Sequence, residues 1–314
     1  MKYFSSLFFS IIVLGGCDQL PSANKSSKGA NENSDRPPVH TLSNADLPQH
    51  IQPVPIPKVV TFAGEVIPVE RADVREALEE ELMVNAFRHS HTLAIIKNVA
   101  RWKPFVVDIL KSLDVPEDFL YLAVIESEFD NNALSYAGAA GMWQIMKETA
   151  KDYGLIMTND IDMRRDPKLS TIAAGKFLKW SYSNLNNWTM TAASYNAGMK
   201  GMKDRLRDQK VNSFFDLHLN SETARYVYRI IALKLILENP EAYGYFVPDE
   251  EKYQPYQFTT VHVNDDINNL VDFAQQYNTT YKELRILNPW FNNTSNFKLN
   301  IPKNESLEIR IPKQ

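Results

Sequence analysis

One acid in this sequence stands in apolar company. Read as a helix, the segment from Phe119 to Phe129 puts Glu126 on one face with Phe119, Leu122, Ala123 and Phe129, at offsets of seven, four and three residues. Loss of water disfavours the charged form of a carboxyl, so such a glutamate is a candidate general acid with a raised pKa. Glu128 faces the other way, and Asn131 and Asn132 are expected to end the helix. The small-residue run Ala137-Gly138-Ala139-Ala140-Gly141 then lets backbone approach a ligand closely, before Met142-Trp143-Gln144-Ile145-Met146 turns apolar again. A hydroxyl at Ser135 and an amide at Gln144 beside one acid suit a sugar, with methionine and tryptophan to cover pyranose faces. A phosphate-binding loop fits poorly, because no Lys-Ser/Thr pair follows the glycines and no strand precedes them.

Helices must position these groups. Val74, Leu78, Leu82 and Ala86 recur at four-residue spacing, and Leu93, Ile96 and Ala100 continue a stripe. Further apolar stripes run from Phe105 to Leu113, Ile172 to Trp180, Met190 to Tyr195 and Tyr226 to Leu237, with breaks expected at Pro104, Pro116, Asp166-Pro167 and Pro240. Beyond Pro240 the texture changes. A strand-like run, Gln257 to Val261, precedes helical patches at Ile267 to Tyr277 and Tyr281 to Leu287, and Leu299-Asn300-Ile301-Pro302 closes the chain's second unit. The expected fold class is therefore mainly α, with a small α+β unit at the C-terminus.

The chain has 314 residues, 34 basic against 38 acidic, and a net charge of -4, which argues against nucleic-acid binding through phosphate neutralisation. Its one cysteine, Cys17, excludes an internal disulfide and a cysteine-based zinc site. The six histidines show no ligand spacing, so no metal and no organic cofactor are expected. His89 and His91, two residues apart, read as solvated helix surface. At the start, Lys2 precedes an apolar stretch from Tyr3 to Gly16, too short to span a bilayer and shaped like an export signal. Leu14-Gly15-Gly16-Cys17 resembles a bacterial lipobox, which implies lipidation of Cys17 and a periplasmic protein anchored at a membrane. The outer membrane is the first expectation, and Asp18, a residue type that can retain such proteins at the inner membrane, keeps the second open. Residues 18–57, rich in Ser, Asn, Pro and Lys, read as a disordered tether.

Five blocks in order resemble the lysozyme-like lytic transglycosylases of SLT family 1, and among them the membrane-bound type D enzymes. They are Ile125-Glu126-Ser127-Glu128-Phe129; Gly138 to Met146 with Thr149-Ala150; Asp162-Met163-Arg164-Arg165-Asp166-Pro167 with Ala173-Ala174; Ser194-Tyr195-Asn196-Ala197-Gly198; and Glu222-Thr223-Ala224-Arg225-Tyr226-Val227. The resemblance implies a lysozyme-like helical domain over 70–245. It implies cleavage of the β-1,4 bond between N-acetylmuramic acid and N-acetylglucosamine in peptidoglycan without water, leaving a 1,6-anhydromuramoyl end. Glu126 matches the catalytic acid, which later acts as base toward the muramoyl C6 hydroxyl. Only one carboxylate is needed, unlike most glycosidases, because the substrate supplies the nucleophile. Ser135, Gly141, Met142, Gln144 and Met146 match substrate-lining positions, Tyr195 and Asn196 the aromatic and amide that face the acid, and Glu222 and Tyr226 the closing motif. Lys147, where proline is common, and Ala224, which separates Thr223 from Arg225, depart from the pattern. Residues 257–312 look like a divergent LysM module whose usual Gly-Asp-Thr turn is replaced by Asn264-Asp265-Asp266. The expected partner is the peptidoglycan strand. Two alternatives are weighed: a goose-type muramidase that hydrolyses the same bond, for which Asp130 would hold a water, and a non-catalytic wall-binding lipoprotein.

Overall fold

The computed structural model describes residues 52–292 and 296–313. The signal segment, Cys17, Asp18 and the tether up to Ile51 lie outside the described residues. From Val54 onward the chain falls in one compact unit.

The first element is a hairpin the sequence reading did not anticipate. Strands β1 (Val60–Phe62) and β2 (Glu65–Ile67) pair antiparallel around Ala63-Gly64, both at positive φ, and bury Val60, Phe62 and Ile67 in the helical core. Three-residue strands with a two-residue turn leave too short an alternation to stand out from a linker. The hairpin is pinned by the Ala63 N–H, which donates to Asp118 Oδ2 at 2.7 Å.

Eight helices follow: α1 (Ala72–Phe87), α2 (His89–Ser112), α3 (Leu120–Ser127), α4 (Lys147–Asp152), α5 (Pro167–Leu185), α6 (Trp188–Ala197), α7 (Met199–Gln209) and α8 (Ser221–Glu238). The α1 stripe is as read, with Val74, Leu78, Leu82 and Ala86 all buried. In α2 the inward stripe is Thr92, Ile95, Ile96, Val99, Val106, Val107 and Leu110, whereas Leu93 is 41% exposed. Pro104 is also a correction, since it lies inside α2 rather than ending it. An interior proline costs about 3 kcal/mol, and the buried stripe on both sides of it offsets that cost. Pro167, by contrast, opens α5 at its first turn, where a missing N–H costs nothing.

Helix α3 is apolar all round from Leu120 to Ile125, and all six residues are buried. Such a helix belongs at the centre of a domain, and α3 packs on α8 and α2. Around it, Glu65 of the hairpin accepts bonds from the Trp188 and Thr189 N–H groups and the Thr189 hydroxyl, at 2.5, 2.9 and 2.7 Å. A carboxylate at a helix N-terminus satisfies free donors and the helix dipole together. The hairpin thereby fixes α6, the helix that carries Tyr195 and Asn196.

The C-terminal unit holds β3 (Phe258–Val263), α9 (Leu270–Gln276), α10 (Tyr281–Leu287) and β4 (Leu307–Pro312), with β3 and β4 antiparallel. The closing strand is therefore Leu307–Pro312 and not the expected Leu299 to Pro302, because Leu307, Ile309 and Ile311 alternate into the core. Leu299 makes only a single bridge, to Ile267. The unit is docked on the helical domain through segment 160–166. The Asp162 N–H donates to the Trp290 carbonyl at 2.9 Å, Asn292 N–H to the Asp160 carbonyl at 2.8 Å, and Ile161 bridges Phe291. Asp166 caps α5 and pairs with Arg310 at 2.7 Å, with both side chains buried.

A buried charge left without its partner is strongly destabilising. Arg310→Ala is expected to lower unfolding stability in denaturant by about 3 kcal/mol, the low end for such a pair because the cap bonds still hold Asp166. A loss below about 1 kcal/mol would show that the ion pair does not dock the two parts.

Candidate active site

Glu126 stands in the last turn of α3, and the helix stops directly after it. Glu128 takes a left-handed conformation at φ 55°, its N–H donates to the Val124 carbonyl at 2.7 Å, and Asp130 N–H donates to Ser127 at 2.9 Å. The helix thus ends at Ser127 rather than at Asn131 and Asn132, and Phe129, also at positive φ, is buried beyond its end. Two non-glycine residues in the left-handed region cost about 1 kcal/mol or more each, and such positions cluster at functional sites. The early stop also removes Asp130 from the Glu126 face. Its carboxylate is exposed and accepts the Asn132 N–H at 2.8 Å.

Glu126 is partly buried, and its Oε1 accepts the Tyr226 hydroxyl at 2.5 Å. Burial pushes its carboxyl up to about 7, the Tyr226 hydrogen bond draws it down, and the nearby Glu222 charge raises it. Tyr226 and Tyr195 are buried, and loss of water holds both phenols well above the ordinary tyrosine value, with the Glu126 charge adding to each. They remain protonated donors. A carboxyl near 7 in this setting gives up and retakes a proton near neutral pH.

The walls around the acid come from three helices and one loop. In α8, Asn220 caps the helix by accepting the Thr223 N–H at 2.9 Å, and the Thr223 hydroxyl donates to Asn196 Oδ1 at 2.9 Å. Asn196 in turn donates to Glu222 Oε1 at 3.3 Å. Tyr195 donates to the Trp143 carbonyl at 2.7 Å, and Trp143 Nε1 to Thr171 of α5 at 2.9 Å. The Ser127 hydroxyl reaches the Met142 carbonyl at 2.8 Å, so the residue after the acid holds the loop opposite it.

That loop runs from Leu134 to Met146. The Ser135 N–H donates to the Ala139 carbonyl at 2.9 Å, its carbonyl accepts the Gly138 N–H at 2.9 Å, and its Oγ accepts the Ala139 N–H at 3.0 Å. Gly141 has φ +78°, and a Cβ there would sit 2.0 Å from the Arg164 carbonyl, so only glycine fits. Met142 is fully buried, with its sulfur 3.9 Å from the Thr171 hydroxyl. Gln144 is buried at φ 45° and donates to the Gly141 carbonyl at 2.9 Å, while Met146 is partly exposed at the start of α4. The structure therefore brings Glu126, Tyr226, Glu222, Asn196 and Tyr195 together. Ser135 and Met146 lie on the loop's accessible side, and Gly141, Met142 and Gln144 form its buried frame.

Two features escaped the sequence reading. Arg164 is buried and holds the loop from below, donating to the Gly138 and Ile145 carbonyls at 2.6 and 3.1 Å while Asp162 takes its guanidinium at 2.8 and 2.9 Å. Alternating acids and arginines in a stretch leading into an apolar helix were the available signal. Tyr136, 95% exposed beside Ser135, was hidden among small residues. His89 is exposed as expected, whereas His91 is a correction, since its side chain is partly buried with Nδ1 3.2 Å from Glu128 Oε1.

Residues 109–216 match the transglycosylase SLT domain, and residues 259–314 match the soluble lytic transglycosylase C-terminal LysM-like domain. The chain is 34% identical over 191 residues to membrane-bound lytic murein transglycosylase D of Escherichia coli (strain K12), a match that covers 58% of this chain and 41% of that protein. The chain thus spans about two fifths of that relative's length. Solved structures with likeness include an inactive mutant of the lytic transglycosylase Slt from Pseudomonas aeruginosa, at 23% identity and TM-score 0.37, covering 48% of this chain and 26% of that one. Another is the 70 kDa soluble lytic transglycosylase of Escherichia coli, at 20% identity and TM-score 0.36 with the same coverage. The chain is mainly α-helical, carries an SLT transglycosylase domain, and ends in a small LysM-like unit.

The raised carboxyl has a consequence for stability. Because the folded state holds the Glu126 proton more tightly than the unfolded chain, its contribution is fully present below the ordinary glutamate value of 4.5 and is lost as pH rises through about 7. Glu126→Gln is expected to match wild type at pH 4 and to exceed it by about 2 kcal/mol at pH 8, a figure reduced for partial solvent access. Parallel stability curves from pH 4 to 8 would contradict it.

Proposed function

We propose that this chain, with its SLT domain and LysM-like unit, cleaves the β-1,4 bond between N-acetylmuramic acid and N-acetylglucosamine in peptidoglycan without water. The observation that carries the reading is a partly buried glutamate, its pKa pushed up to about 7, held by a phenol donor. At neutral pH a large share of Glu126 is protonated. It gives that proton to the glycosidic oxygen as the bond to the muramoyl C1 breaks, and positive charge develops on the ring. The Tyr226 hydroxyl already points at the carboxylate that forms, so no reorganisation is needed at that moment. The C6 hydroxyl of the same sugar attacks C1, and its proton returns to Glu126. Atoms balance: the glycosidic C1–O bond to the leaving sugar is exchanged for an intramolecular C1–O6 acetal bond, the leaving oxygen keeps the proton it received, and the acid is restored by the proton of the C6 hydroxyl.

A single acid suffices for this route because the substrate supplies its own nucleophile, and since Glu222 also stands in the site the products, not the number of carboxylates, separate it from hydrolysis. Asp130, the residue that would have served, is occupied on the outer surface. Glu222 raises the Glu126 pKa through its charge and is held by Asn196 at 3.3 Å, a polar wall to the site. The partly exposed loop from Ser135 to Met146, with Tyr136 at its lip, supplies hydroxyl and aromatic surface for sugar rings. No described helix is long and apolar enough to cross a membrane. On the proposed reading the protein reaches the periplasm as a lipoprotein with acyl chains on Cys17, at the outer membrane first and, given Asp18, the inner membrane as the alternative.

Digestion of purified sacculi and mass spectrometry of the products test the reaction. Wild type is expected to release muropeptides with 1,6-anhydro ends, lighter by one water than reducing ends, and Glu126→Gln to lose about 10²–10⁴-fold in rate with its fold retained. Reducing muramic ends would make the protein a hydrolase, and binding to sacculi without release would make it a scaffold.

A further inference from the structure

Among the described residues, the seam between the helical domain and the C-terminal unit holds two guanidiniums whose donors are only partly met. Arg164 is fully engaged, but its neighbour Arg165 is not. Arg165 Nη1 donates to the Asn132 carbonyl at 3.1 Å, while its Nε is buried with no hydrogen-bond partner. Among the described residues the one carboxylate within 4 Å is Asp162 at 3.9 Å, which already receives two bonds from Arg164. Across the seam, α10 presents Tyr281 and Arg285, four residues apart on one face. Arg285 Nη1 donates to the Phe291 carbonyl, and no salt bridge reaches this guanidinium among the described residues. The Tyr281 hydroxyl is buried and has no partner either.

The backbone brings the two sides together. Phe291, whose carbonyl Arg285 holds, bridges Ile161, and Asp162 N–H donates to Trp290 at 2.9 Å, three residues before Arg165. Burial lowers the Arg285 pKa, Tyr281 draws it back up, and the Arg165 charge lowers it further. Two half-buried guanidiniums that repel each other, beside an unsatisfied phenol, lack an oxyanion to accept their donors. Their place is also informative. The Arg165 Cα lies 3.2 Å from where a Cβ on Gly141 would be, and Arg165 holds the backbone of Asn132. An anion bound at the seam therefore lies alongside the loop that frames the active site.

We propose that Arg165, Arg285 and Tyr281 form an oxyanion site that takes a carboxylate of the peptide borne by a bound glycan strand, so that the chain favours peptide-bearing over peptide-free glycan. The identity of the ligand rests on the peptidoglycan reading above. On such a strand the sugars are neutral, the lactyl carboxyl of the muramoyl residue is taken up in the amide bond to the peptide, and the free carboxylates sit on that peptide. Guanidiniums read carboxylates by paired hydrogen bonds as well as by charge, so removal of the negative charge by amidation removes both.

Calorimetric titration of the full chain carrying Glu126→Gln, which suppresses turnover, tests the site directly. The ligands are a muramoyl disaccharide with a tripeptide bearing free carboxylates, its fully amidated counterpart, and the peptide-free disaccharide with its lactyl carboxyl amidated. The acid form is expected to bind about tenfold more tightly than the amide. Adding Arg285→Gln should abolish that difference, Arg285→Lys should keep part of it, and the peptide-free disaccharide should bind all chains alike. Tyr281→Phe, which keeps the ring against Phe297, should reduce the preference about two- to threefold. Equal binding of acid and amide by the parent chain overturns the site, as does an Arg285→Gln effect of the same size on the peptide-free ligand. An acid preference in a chain that fails to cleave sacculi would uphold the site and remove the reaction proposed above, so the two failures are distinguishable.

Discussion

The structure turns on the hydrogen bond between Tyr226 and Glu126 in a setting poor in water. Burial raises the carboxyl and the phenol donor lowers it, and a balance near 7 is what the proposed reaction asks of one group serving first as acid and then as base. Neither residue reaches this state alone. Tyr226 is held because α8 packs along both α1 and α3, and Glu126 because α3 stops one residue beyond it. A longer α3 would carry Asp130, four residues on, onto the same wall, and a further carboxylate there would alter the balance.

Remote parts of the chain serve that arrangement through buried polar contacts. Glu65, in the hairpin, fixes the start of α6 and so the height of Tyr195 and Asn196. Arg164 braces the glycine-containing loop, and the same segment, from Asp160 to Asp166, carries the C-terminal unit through Trp290, Asn292 and Arg310. Buried ion pairs of this kind add little to stability when complete and cost much when broken. What they supply here is geometry, since each side chain satisfies donors from two elements at once. The LysM-like unit is consequently part of the scaffold under the active-site loop, with its buried residues joined to the helical core.

Much of this was legible in the sequence, and the reasons for the exceptions are local. The α1 stripe, the boundaries at Pro116, Pro167 and Pro240, and the two C-terminal helices follow from periodicity and helix-end signals. Glu126 could be read because an acid among Phe119, Leu122 and Ala123 violates the apolar pattern. The end of α3 could not, because Glu128 and Phe129 adopt left-handed backbone that favours glycine, and only tertiary contacts hold them there. Pro104 misled for the same reason in reverse, a local penalty overruled by burial on both sides. Arg164 and Asp166 were visible as charges, but their partners are backbone carbonyls and a residue 144 positions away, which no spacing rule connects. The closing strand was misplaced because Leu299-Asn300-Ile301-Pro302 and Leu307–Pro312 both offer apolar residues, and only pairing with β3 selects the second.

The most direct test is a carbon NMR titration of the Glu126 side-chain carboxyl in the folded chain, with Glu126→Gln identifying its resonance. A midpoint near 7 is the result this account requires. A midpoint near 4.5, the ordinary glutamate value, would mean that water reaches the group freely and that no proton is held for the bond to be broken.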